Sequence, residues 1–273
     1  MGSIRPLRSA ELPVVLVQGF GCHPRVLGPL SRRIRSSLGR TTLCLTPGLG
    51  IGDVRDTGMD LLEAIEAATS RLGFERVDVV AHSMGGLVAA YMMKCLDHGR
   101  RVRRVVALGT PFGGAAGARL VSLLGPLGGA LAQIAPGSRL LRLLGSAPVP
   151  PGSALISVSG SRDQLVPAAA ARIAPAPGQH HLDAGPCGHL QLLFGARGFV
   201  RIEQALAAPG LEAPANGPER LQPEASSRQV AQSFSAARAE VATAATSSAG
   251  SKGFAMCIWK PAASSRTRSS VVA

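Results

Sequence analysis

The sequence predicts an α/β protein with a mainly parallel sheet of about six strands and helices on both faces. Two observations carry this. Short β-branched apolar runs alternate with amphipathic stretches of helical period, an order that favours parallel strands joined by right-handed crossovers. The chain of 273 residues is also 46% hydrophobic, ample for a core buried between two helical layers.

Residues 1–11 are polar and expected to be loose, and Pro13 to Val17 reads as the first strand. It runs into Gln18-Gly19-Phe20-Gly21, a turn that reads either as a plain loop or as a source of a backbone N–H for an oxyanion, donated by Phe20. From Arg25 to Leu38 the residues Leu27, Leu30, Ile34 and Leu38 share one helical face, and Gly39 ends the pattern. Thr41 to Leu45 is the second strand. Asp53 or Asp56 then caps a helix with Leu61, Ile65, Ala68 and Leu72 on one side and Gly73 as its stop.

The centre of the chain is Val77 to Leu87, VDVVAHSMGGL. Val77 to Ala81 reads as a strand and Met84 to about Leu96 as a helix, with Leu87, Val88, Tyr91 and Cys95 at helical spacing. Ser83 stands at the turn between them. A serine on so sharp a turn needs small neighbours, which Ala81, Gly85 and Gly86 supply, while His82 fills the variable elbow position and reads as a packing residue. The following helix aims free N–H groups, that of Met84 first, at charge forming beside Ser83. The bland alternative is an ordinary strand-to-helix junction with a solvated serine. Three further strands follow, at Val102 to Leu108, Ala154 to Ser159 and Gln179 to Asp183.

In parallel sheets ligand chemistry gathers at the carboxyl ends of the strands. Three such ends carry a serine, an acid and a histidine. Asp163 lies in the loop Gly160-Ser-Arg-Asp-Gln-Leu-Val-Pro167 and His189 in Gly185-Pro-Cys-Gly-His-Leu190. In that arrangement His189 takes the Ser83 proton as general base and Asp163 holds the imidazole tautomer and stabilises the cation. Asp183 is nearer His189 in sequence but too close to its loop to be the preferred acid. His180 and His181, within a strand, read as surface or packed residues.

These motifs resemble a bacterial triacylglycerol lipase or esterase of the α/β-hydrolase superfamily. The resemblance rests on VDVVAHSMGGLVAAY, RRVRRVVALGTPFGGA, PGSRLLRLL, SGSRDQLVP and GHLQLLF, and spans roughly residues 12 to 206. It implies hydrolysis of carboxylic esters of acyl-glycerols or similar lipids through an acyl-serine, with no cofactor or metal. Two positions depart from the usual pattern: Ala81 stands where glycine is usual, and Gln18 where related enzymes have histidine.

The implied catalytic domain is 1–206. Within it, Gly117 to Pro150 occupies the position of a lid, and Leu120, Leu123, Leu124, Leu127 and Leu131 read either as a mobile apolar cover or as core. Residues 207–273, rich in Ala, Ser, Pro and Gln, read as a disordered tail, with a small apolar island at Phe254 to Trp259. The same triad also serves acyl transfer or thioester hydrolysis, and a catalytically silent hydrolase fold acting as a binding module is the third reading.

Net charge is +13, and from His98 to Arg162 eight arginines occur with no Asp or Glu, a pattern read as a basic face or lid or as codon bias alone. No interleaved aromatics accompany it, so nucleic acid is not an expected partner, whereas a small ester or lipid and transient contact with a lipid interface are. Five cysteines without metal-ligand spacing argue against disulfide and zinc frameworks. No secretory signal or bilayer-spanning run is visible, which points to the cytoplasm.

Overall fold

Six short runs pair side by side and in parallel, and the five ahead of the last are buried along their whole length, so neither of their faces is left in water. The computed structural model describes residues 12–19, 23–45, 52–115, 131–214 and 256–259. The strands are β1 (Val14–Val17), β2 (Thr42–Leu45), β3 (Val77–His82), β4 (Val102–Leu108), β5 (Ala154–Ser159) and β6 (Gln179–Asp183). Their order across the sheet is β6-β5-β4-β3-β1-β2. All six match the strands expected from sequence.

Side chains alternate between two cores. Val15, Val17, Val79 and Ala107 face α2 (Val54–Leu72) and α3 (Met84–Tyr91), together with α4 (Arg139–Ser146). On the other side Val14, Leu16, Val80, Val106 and Ile156 meet α1 (Gly28–Leu38), a short α6 (His189–Phe194) and α7 (Ala196–Ala207). A four-residue helix, α5 (Ala168–Ala171), follows β5. The expected caps are present: Gly39 and Gly73 close α1 and α2 in left-handed conformation, and the Asp53 side chain accepts from the Arg55 amide to start α2.

The helix after the elbow changes character midway. Past Tyr91 it widens into a π-helical turn, Met92–Asp97, which carries a buried lysine. The Lys94 ammonium donates to the carbonyls of Leu144 and Ala147 at the end of α4 and to Gln179 Oε1 at the start of β6. Burial pulls its pKa from 10.5 down to about 8. Below pH 8 the group is charged in both folded and unfolded chains, so stability does not respond to it. Between pH 8 and 10.5 the unfolded chain keeps a proton that the folded chain has released, so stability rises with pH across the window. Urea titrations of wild type and Lys94→Met should therefore diverge on this alkaline limb, with the rise absent from the variant.

Three features modify the sequence reading. Arg103 and Arg104, counted with a basic face, lie buried on β4 because acids from elsewhere in the chain reach them: Asp78 binds Arg103, and Glu212 binds Arg104 at 2.6 Å. Arg104 also donates to the carbonyls of Ala205, Leu206 and Ala208, and Ala213 exchanges backbone hydrogen bonds with Gly152 and Ser153, so the ordered body continues past Leu206. From the expected tail comes β7 (Met256–Trp259), which pairs antiparallel with β2 and makes the sheet seven-stranded.

The described half of the expected lid is packed, with Leu140, Leu141 and Leu144 of α4 buried. Leu120, Leu123, Leu124 and Leu127 lie outside the described residues, as does most of 207–273. No helix among the described residues is long and apolar enough to cross a membrane.

Candidate active site

The carboxyl ends of β3, β5 and β6 deliver the three chemical groups to one place. At the end of β3 the chain reverses so sharply that Ser83 adopts φ 54°, ψ −131°, one of two non-glycine residues with positive φ among those described. The turn is held from three sides. The Ser83 amide donates to Leu108 O on β4, its carbonyl accepts from Thr110 Oγ1 at 3.0 Å, and the Gly86 amide closes back onto the same carbonyl.

Close packing behind the elbow explains its glycines. A Cβ on Gly85 would overlap the backbone oxygen of Gln18, and one on Gly86 would overlap the Thr110 hydroxyl. Gly85 therefore lets the end of β1 approach the start of α3. Ala81, where the resemblance leads one to expect glycine, is fully buried in β3.

Asp163 and His189 meet across the ends of β5 and β6. His189 Nδ1 lies 2.7 Å from Asp163 Oδ2. The other carboxylate oxygen accepts the amides of Leu165 and Val166, so the acid is anchored by its own loop. His189 is the first residue of α6, and its loop is braced by the Gly188 amide donating to Gln191 Oε1. Asp183, the rival acid, instead accepts from the Gly185 amide and is exposed.

Ser83 and His189 line one cavity of about 400 Å³, walled by Pro111, Leu131, Ile134, Leu165, Val166 and Leu190 among others. Apolar walls with a few convergent polar groups suit a largely hydrocarbon ligand. Met84, also in the wall, is the first residue of α3, a position whose amide has no acceptor within the helix. Phe20, expected to supply the second oxyanion amide, lies outside the described residues. Gln18, its near neighbour, is buried with its Oε1 unpartnered among the described residues.

The remaining histidines separate by contact. His180 Nε2 donates to Leu211 O, and His181 bridges the hydroxyls of Ser157 and Ser159. His82 is different: it lines the cavity, and its ring centroid lies 4.5 Å from that of His189. The sequence predicts only a packing residue at this position. Its position next to Ser83 was visible, but its contact with a residue 107 positions away was not.

The sheet order, the strained strand-to-helix turn and the acid and histidine loops define the class as an α/β-hydrolase fold. Comparison with known proteins agrees. A family model described as the PGAP1-like alpha/beta domain matches residues 58–119, from α2 through the elbow and β4. The chain is similar to the mature form of the Bacillus licheniformis lipase BlEst2, at 18% identity and TM-score 0.61, over 75% of this chain and 96% of that one. Similarity to Aspergillus fumigatus lipase B is at 17% identity and TM-score 0.56, covering 79% and 56% of the two chains. For a monoacylglycerol lipase of Paleococcus ferrophilus the values are 15% and 0.53, with 71% and 93% covered. The chain thus has the α/β-hydrolase fold that the resemblance implied.

Proposed function

We propose that this chain is a serine hydrolase of carboxylic esters, with lipid esters as its substrate class. Ser83 is the nucleophile, His189 the general base and acid, and Asp163 the group that orients the imidazole. The observation that carries this reading is that a strained, cavity-lining Ser83 shares its cavity with His189, whose far nitrogen is bound to a buried Asp163.

The steps follow from those positions. Ser83 Oγ attacks the ester carbonyl while His189 Nε2 takes its proton, and Nδ1–H stays on Asp163. The tetrahedral oxyanion is received by the amides of Met84 and Phe20. Collapse expels the alkoxide, which His189 protonates. Water then repeats the sequence on the acyl-serine and frees the acid. The names of the similar proteins, lipases among them, and the apolar cavity walls both favour an acyl chain over a sugar or phosphate ester.

A ladder of p-nitrophenyl esters from acetyl to palmitoyl tests this. The apolar walls predict faster hydrolysis of longer acyl chains than of acetyl, and prior treatment with a fluorophosphonate should abolish turnover and leave a label on Ser83. A folded protein inert on every ester and unlabelled by the probe would overturn the reading.

A further inference from the structure

The elbow histidine sits where it can control the base. His82 is 4% exposed, and its Nε2 lies 3.1 Å from the backbone carbonyl oxygen of His189. That oxygen can only accept, so His82 carries its proton on Nε2 and donates. The two rings are tilted by 52° at a centroid separation of 4.5 Å.

From this geometry we infer that His82 is a positioning residue for His189, holding the base in register with Ser83 by a hydrogen bond to its main chain. The inference rests on the reading of Ser83 and His189 proposed above. His189 is fixed at two points that do different things. Asp163 sets the rotation and tautomer of the ring, and His82 sets where the backbone that carries the ring stands relative to the elbow. Because His82 adjoins Ser83 in the chain, the nucleophile and the base are tied through one residue.

The chemistry of the elbow position matters here. Among the described residues, two titratable groups face His82, namely His189 and Asp163. Burial, with repulsion from His189, pushes its pKa from 6.5 down to about 4. At neutral pH it is therefore an uncharged donor, and it places no positive charge against the imidazolium that forms on His189 during turnover. A lysine or arginine there would donate equally well but oppose that cation.

Two variants separate positioning from packing. His82→Phe keeps a ring and removes the donor, while His82→Gln carries an amide N–H at about the reach of Nε2. Misplacing a catalytic group by a fraction of an ångström costs roughly tenfold or more in rate, so His82→Phe should lower kcat by about tenfold with KM within about twofold. In His82→Gln kcat should recover to within about threefold of wild type, and the order of kcat values should not follow the order of melting temperatures.

A wild-type kcat in His82→Phe overturns the inference, as does equal impairment of both variants in proportion to lost stability. Ser83→Ala is run beside them on the same ester. If it is inactive while His82→Phe turns over normally, only the positioning role fails. If it stays active, the site reading fails and the inference falls with it.

Discussion

Ser83→Ala is expected to reduce ester turnover by a factor on the order of 10⁵, because the acyl-enzyme route closes completely and only oriented water remains. His189 and Asp163 do not depend on the hydroxyl for their mutual bond of 2.7 Å, so the variant should fold and still bind substrate. Stopped assays with a chromogenic ester, together with loss of fluorophosphonate labelling, measure this. Residual activity above one-hundredth of wild type would place the nucleophile elsewhere. A companion variant reports on the backbone. Ser83 sits at φ 54°, where a side chain is strained, so Ser83→Gly should be equally inactive yet more stable than wild type by about 1–2 kcal/mol in urea. Stability bought at the cost of activity is the expected sign of a turn kept strained for its chemistry.

The largest expected effect on stability lies at the other end of the strands. Asp78 on β3 is fully buried and receives Arg40 Nη2 at 2.6 Å and Arg103 Nε at 2.9 Å. Arg40 is itself 4% exposed and also donates to Leu12 O. Burial lowers the Arg40 pKa and Asp78 opposes that shift, so the carboxylate offsets the cost of burying the guanidinium charge. Asp78→Asn leaves two guanidinium groups facing a neutral amide in the core and should cost about 3–5 kcal/mol, read as a lowered urea midpoint. Replacing Asp78, Arg40 and Arg103 together with apolar residues of similar size should recover most of that loss, since no charge is then left unpaired. Full stability in Asp78→Asn alone would contradict this account.

Much of this was legible in the sequence because it is local. Most strand boundaries followed from β-branched apolar runs, α1 and α2 from apolar spacing with a glycine stop, and the elbow from a serine among small residues. Asp163 could be favoured over Asp183 by loop position alone. What was not legible depends on partners brought together by the fold. Asp78 reads as one polar residue in VDVV, and nothing local says that Arg40 and Arg103 converge on it. Arg103 and Arg104 read as surface charge because their acids, Asp78 and Glu212, lie 25 and 108 residues away. The β7 strand was hidden for a similar reason: four residues in a polar tail become a strand only by pairing with β2, far back in the chain. The π-helical turn at Met92–Asp97 left no trace in apolar spacing, which continues through it.

The Arg104 clasp also bears on the order in which the chain can assemble. Its guanidinium gathers Ala205, Leu206, Ala208 and Glu212, all about a hundred residues further on. During synthesis the middle strand β4 leaves the ribosome well before any of these partners exists. Until they emerge, a buried position holds an arginine with its donors unmet, and the sheet cannot close around it at full stability. The clasp makes the domain wait for the segment that ends at Glu212, so a nascent chain arrested before Glu212 should remain open to proteases and chaperones even though all six parallel strands have already been made.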